Sequence, residues 1–167
     1  MDEQAKKTAL RMIPYGLYIL TSESKDGDVS AAAVNWVTQA SFNPPLVAVG
    51  VKADSGAHRI IKESGAFALN MLGKEQQEIA FTFFKPQERE GMTIGGQPFR
   101  TGSTGSPILE NAPAYVECKL VETVEKGDHS IFVGEVVDAG VQATIEGRAD
   151  EAILWLKELG EKIFYGG

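Results

Sequence analysis

Two stretches of this chain carry more hydrogen-bonding and ionisable chemistry than a strand or a turn requires. The first is Asn35-Trp36-Val37-Thr38-Gln39-Ala40-Ser41-Phe42-Asn43-Pro44-Pro45, where Asn35, Thr38, Gln39 and Ser41 gather at a strand end before a rigid double proline. These groups suit a rim of donors around a flat heteroaromatic ligand. A strand end and loop whose polar groups are satisfied by water would show the same residues. The second is Gly127-Asp128-His129-Ser130-Ile131-Phe132-Val133-Gly134-Glu135-Val136. A hairpin calls for Gly127 and Asp128, but turn chemistry does not call for a histidine at the mouth of the next strand. Gly134 in mid-strand signals a bulge or a close backbone approach.

The elements that must position these groups are read from periodicity. Residues 2–13 predict a short helix stopped by Pro14 and lying on a sheet edge. Residues 16–22 and 29–38 predict two strands of a hairpin turning at Lys25-Asp26-Gly27-Asp28, and Leu46–Val51 predicts a buried strand after the prolines. A helix over 55–63, capped by Ser55 or Asp54 and closed near Gly65, comes next. It is followed by a strand over 66–72 and a helix over 74–84. Residues 91–106, rich in glycine and threonine with weak periodicity, predict a long excursion or lid. Strands over 114–125 and 129–139 form a second hairpin, and 150–162 fits either a helix or a strand. Strands outnumber helices and come as hairpins, which predicts a mainly β fold: a closed antiparallel barrel with peripheral helices in one domain over 1–167.

Composition narrows the function. The chain has 167 residues, with 16 Lys+Arg against 23 Asp+Glu for a formal net charge of −7. That balance argues against nucleic acid and anionic membranes as partners. The start, Met1-Asp2-Glu3-Gln4, lacks the apolar core of a secretory signal, and the longest apolar run is too short to span a bilayer. A lone cysteine, Cys118, forms no intrachain disulfide, which suits a reducing cytoplasm. A multi-histidine metal site is not expected with only His58 and His129 present. Gly-x-Gly-x-x-Gly, a phosphate loop and Gly-x-Ser-x-Gly are all absent, so chemistry would have to come from a cofactor held in another way.

Asn-Trp-Val-Thr-Gln-x-Ser-Phe-x-Pro-Pro-Leu at 35–46, the short helix with His58, and Gly-Asp-His-x-x-Phe-x-Gly-Glu-Val at 127–136 together resemble the flavin reductase-like, FMN-binding split-barrel family, in particular its flavoredoxin and rubredoxin-linked branch. The likeness runs from about Pro14 to Ala139. It implies an antiparallel Greek-key split barrel that binds FMN against Asn35, Trp36, Val37 and Thr38. Ribityl and phosphate contacts would come from Thr38, Ser41, Lys52, Ser55, His58 and Arg59. His129 matches the family histidine near the nicotinamide of NADH or NADPH, and Asp128 would fix its tautomer. The implied activity is that of an NAD(P)H:flavin oxidoreductase passing electrons to a small-molecule or redox-protein acceptor. A flavoredoxin-like electron carrier and a non-catalytic β-barrel module are the alternatives. The cysteine tied to flavoredoxin-type transfer is missing from 35–46, and Cys118 reads as a buried small hydrophobe. The tail Phe164-Tyr165-Gly166-Gly167 resembles tails of the rubredoxin-linked branch that lie near the cofactor or partner subunit, while an aromatic pair closing the barrel is the plainer account. A chain this short has no separate nucleotide domain, so flavin and nicotinamide would share one cleft, completed in a homodimer.

Overall fold

The computed structural model describes residues 1–167. Asp2 caps helix α1 (Glu3–Arg11) by accepting from Ala5 N–H, and none of its residues is buried. Strands β1 (Tyr18–Glu23) and β2 (Val29–Val34) form the expected hairpin. The apolar run 29–38 is not one strand, however. It breaks at Asn35-Trp36 and resumes as β3 (Val37–Phe42), which turns through Asn43-Pro44 into β4 (Pro45–Lys52). Pro45 opens β4, the one strand position where a missing N–H does little harm. Helix α2 (Gly56–Ser64) has Ser55 as its N-cap and Gly65 as its C-cap at φ 70°, as read from the sequence. It crosses the chain over to β5 (Ala66–Met71), a strand buried along almost its whole length.

The break at 35–36 is what closes the fold. The main sheet is antiparallel in the order β2-β1-β5-β10-β11-β4-β3, where β10 is Ala114–Val124 and β11 is His129–Val141. Its two edge strands are therefore β2 and β3, which are joined by two residues. Three steps of extended chain reach about 11 Å at most, so the opposite edges of a seven-stranded sheet must meet. The sheet is rolled into a barrel with a seam at Asn35-Trp36. Helix α2 packs on β1, β2, β5 and β4 and so plugs one end of the roll.

Side chains alternate between two cores. Leu20, Val49, Val51, Phe67, Leu69, Cys118 and Phe132 fill the barrel. Leu17, Ile19, Leu72, Phe83, Phe99 and Leu154 pack outside it. Gly134 fulfils its sequence signal, because a Cβ there would lie 2.5 Å from Phe67 Cζ and 2.7 Å from Cys118 Cβ. It pairs with Leu120 beside an irregularity in β10.

Three further expectations need correction. Helix α3 covers only Gln77–Thr82, because Gln76 Oε1 accepts from Gly73 N–H at 2.8 Å and holds the preceding residues in a turn. The excursion over 91–106 belongs to a small antiparallel meander of β6 (Arg89–Glu90), β7 (Thr93–Ile94), β8 (Gln97–Thr101) and β9 (Pro107–Leu109). The tail is neither a long helix nor a full strand. Short 3-10 turns at Ala149–Glu151 and Leu156–Leu159 flank an extended piece whose Ile153 and Trp155 make single bridges to Gly73 and Gly16.

Candidate functional site

The loop from β4 into α2 builds the first half of the site. Lys52 ends β4, Ser55 caps α2 by accepting from His58 N–H at 3.2 Å, and Arg59 lies one turn into the helix. These three line a groove of about 950 Å³ together with Ser30, Ala31 and Ala32 of β2 and the segment Phe83–Arg89. The small β2 side chains leave room, and a Cβ at Gly56 would meet nothing within 4 Å. The cations are held only by surface partners: Lys52 by Asp54 at 3.3 Å, and Arg59 by Glu63 at 3.1 Å and Asp28 at 3.8 Å. Exposed pairs of this kind are worth about 0–1 kcal/mol and yield readily to a phosphate. The groove thus offers cations and a helix start together with a few apolar side chains, Ala31, Ala32 and Phe84 among them, a lining that fits FMN.

The seam and the β11 mouth build the second half. His129 is the register partner of Lys52, and Ala53 N–H donates to the Asp128 carbonyl at 2.9 Å, so the two halves adjoin. Val49, Val51 and Phe132 point into the barrel, so Gly50, His129 and Ile131 face outward. The Trp36 ring lies against Gly50, where a Cβ would be 3.0 Å from its Cε3. Its centroid is 4.6 Å from the His129 ring and 5.3 Å from that of Tyr165. Asp128 Oδ1 lies 2.9 Å from His129 Nδ1. A carboxylate only accepts, so in the neutral ring the proton sits on Nδ1 and Nε2 accepts from the Tyr165 hydroxyl at 2.7 Å. The hydrogen bond and charge of His129 hold the Asp128 carboxyl below its ordinary range. Burial pushes the Tyr165 phenol up, Lys52 opposes that, and Asp128 and Asp54 add to it.

The sequence-predicted residues fall into three groups. Lys52, Ser55 and Arg59 share the groove, and Asn35, Trp36 and His129 share the adjoining cluster. Four line neither. Val37 packs against the barrel core, and Thr38 is exposed on β3 with its hydroxyl donating to the Gln39 carbonyl. Ser41 lies near the end of the same edge strand. His58 is buried, with Nε2 2.8 Å from Ser130 Oγ and its ring against Phe132. Tyr165 is not among the predicted site residues; its signals are the aromatic pair in a glycine-rich tail and the resemblance of that tail to ones lying near the cofactor or partner subunit, against which barrel closure is the plainer account. Sequence reasoning also passed over Phe83–Arg89, which carries no motif.

Comparison with known proteins matches residues 10–158 to the flavin reductase like domain. The chain belongs to the flavin reductase-like family. This flavin reductase-like chain is 38% identical over 135 residues to the ferric-chelate reductase (NAD(P)H) of Archaeoglobus fulgidus, covering 80% of the chain and 79% of the relative. It is 31% identical over 157 residues to a flavin reductase of Pseudomonas putida, covering 94% of the chain and 88% of the relative. The structure of an FMN-binding protein from Thermus thermophilus superposes with a TM-score of 0.68 at 26% identity, covering 78% of the chain and 72% of that protein. The split-barrel architecture of the flavin reductase-like domain is the one read from the sequence, and its seam explains where the barrel is split.

Proposed function

We propose that the protein is an FMN-binding, NAD(P)H-dependent flavin reductase. The observation that carries this reading is the junction at Lys52: a phosphate-ready groove on one side, and on the other an aromatic cluster led by a histidine, in register partners of adjacent strands. When bound, the flavin supplies a ring that accepts hydride from a nicotinamide and passes electrons on to an acceptor. The chain's own residues bind, align and shield. Lys52 and Arg59 neutralise the phosphate, and the free N–H groups at the α2 start add donors. His129, oriented by Asp128, presents Nε2 to a nicotinamide, and no strong acid or base is needed because hydride transfer requires stacked rings in near contact. A ferric chelate, free flavin and a redox protein are the acceptor classes compatible with this site.

The same reading includes a homodimer. His129 and Trp36 lie on the outer face of the barrel, and Val124 and Ile131, paired across β10 and β11, extend that face while 40% and 47% exposed. Phe42 at the end of edge strand β3 is 90% exposed. A second copy covering this surface would shield the rings from water. No helix is long and apolar enough to cross a membrane, and the single buried cysteine suits the cytoplasm.

Anaerobic addition of NADH or NADPH to FMN-loaded protein should bleach the oxidised flavin, and a ferric chelate or free FMN should restore its colour. Bound FMN that no nucleotide bleaches would identify an electron carrier instead. Lys52→Ala and Arg59→Ala should each weaken FMN binding about tenfold in a fluorescence titration, the scale of one charge-assisted hydrogen bond.

A further inference from the structure

The backbone carbonyl and the hydroxyl of Tyr165 are both directed at residues that the reductase reading assigns to the nicotinamide side of the site. Its backbone carbonyl accepts from Asn35 Nδ2 at 3.1 Å, and its hydroxyl donates to His129 Nε2 at 2.7 Å. Its ring packs tilted on Trp36 and edge-on to His129, with centroids 5.3 Å and 5.8 Å apart. A planar six-membered ring offering one carbonyl acceptor and one donor is also what a nicotinamide carboxamide presents. Tyr165 therefore makes, from within the chain, the set of contacts such a ring would make.

A second observation shows that this fit is incomplete. Trp36 Nε1 is buried with no hydrogen-bond partner, and it is the sole side-chain nitrogen or oxygen in the molecule in that condition. It lies beneath Gly166, whose Cβ position would be 3.6 Å from it. A buried donor left unpaired is destabilising, so the tail covers Trp36 without satisfying it, and a ligand with an acceptor at that point would do better. The remaining hold on the segment is light. Arg11 Nε reaches the Gly166 carbonyl at 3.4 Å and its guanidinium sits 4.1 Å from the Phe164 ring centroid, while Phe164 and Tyr165 stay 49% and 45% exposed. A hollow of about 590 Å³ lies at this point between Trp36, His129, Tyr15 and the tail.

We propose that Tyr165 is the resident occupant of a ring-binding subsite formed by Asn35, Trp36 and His129, and that a carboxamide-bearing, near-planar six-membered ring must displace it to bind. The proposal rests on the reductase reading, under which that ring is the nicotinamide of NAD(P)H. The apparent affinity for nucleotide is then the intrinsic affinity reduced by the fraction of molecules with the tail lifted. The tail sets the concentration of nucleotide at which the enzyme becomes active.

The test uses FMN-loaded full-length protein with Tyr165→Ala and Tyr165→Phe, and an unchanged FMN affinity shows that each variant is folded. Titration with NAD⁺ and NADP⁺, which involves no turnover, should show Tyr165→Ala binding about three- to tenfold more tightly than the parent, with Tyr165→Phe between them, the range expected for loss of one net hydrogen bond to His129 together with the ring packing on Trp36, the backbone carbonyl that Asn35 holds being kept in both variants. KM for the reduced nucleotide should fall in step, with kcat within about twofold. In the flavin-free parent protein, saturating NAD⁺ should shift the His129 imidazole resonances as Tyr165→Ala does. Unchanged or weaker nucleotide binding by Tyr165→Ala overturns the proposal, and weaker binding would make Tyr165 a partner of the nicotinamide. If parent and variant both hold FMN but neither binds nor is bleached by nucleotide, the reductase reading falls and this proposal with it. Bleaching of both with equal affinity overturns this proposal alone.

Discussion

His58 and His129 put the same side chain into opposite surroundings, and the difference decides which of them can meet a ligand. Position 58 falls on the inward face of α2, where Ser130 Oγ takes Nε2 at 2.8 Å and Phe132 covers the ring. Position 129 falls on the outward face of β11, between Asp128 and Tyr165. The sequence places both near the cofactor because a helix start with cations looks alike whichever way each side chain points, and only packing against β11 reveals the inward turn. His58→Ala should therefore lower stability by about 1–3 kcal/mol through the orphaned Ser130 hydroxyl, while FMN affinity stays within about twofold. Thermal unfolding and a flavin titration read the two quantities separately. Gly134 was legible for the opposite reason, since a glycine amid strand formers weakens the strand unless something must approach the backbone closely. Gly134→Ala would force Phe67 and Cys118 aside, at a cost of about 1–3 kcal/mol in the unfolding free energy.

Among the elements, the β6–β9 meander was the least visible in sequence and is the most dependent on buried polar clamps. Its strands are two to five residues long, too short for a period to register. Distant residues hold it. Asn70 Nδ2 donates to the Ile19 carbonyl at 3.0 Å while its Oδ1 accepts from Leu109 N–H at 2.8 Å, and Thr21 Oγ1 donates to the Pro107 carbonyl at 2.6 Å. Glu117, fully buried in β10, accepts from the backbone and hydroxyl groups of both Ser103 and Thr104. Burial pushes its carboxyl up, but the hydrogen bonds from Thr104 and Ser103 outweigh that and hold it below the ordinary glutamate value. A carboxyl depressed by folding stabilises the native state above its unfolded pKa, and that contribution disappears as pH falls through the folded value. Thermal stability should thus decline from the ordinary carboxylate range downward, and Glu117→Gln should start lower and show a shallower acid slope. By contrast, α2 and the β10–β11 hairpin were legible because their caps, turn and periodicity all lie within the segment itself. The break in 29–38 was not, because Asn35-Trp36 interrupts no local pattern and only closure of the sheet demands it.

At the scale of the whole molecule, the sequence yields a β barrel but not its seam, since which strands form the edges depends on the crossover through α2. Closure places Trp36 and His129 on the outer wall beside Val124 and Ile131, so the proposed dimer contact and the cofactor chemistry would share one surface. Replacing both Val124 and Ile131 by glutamate should give a monomer in sedimentation and lower the reductase rate, with the unfolding midpoint little changed. A dimer that persists in this variant would remove that face from consideration. The seam has one more consequence, which concerns chain length. Turns such as Lys25–Asp28 can gain or lose a residue with only local effect, because the strands on either side are already paired with each other. Val34 and Val37 are not paired; they belong to opposite rims, and the two residues between them are Asn35 and Trp36. An insertion there would widen the gap between the rims and swing Trp36 off Gly50 in the same step. Homologues should accumulate insertions and deletions freely in their turns and none at this link, where a single spacing serves fold and site together.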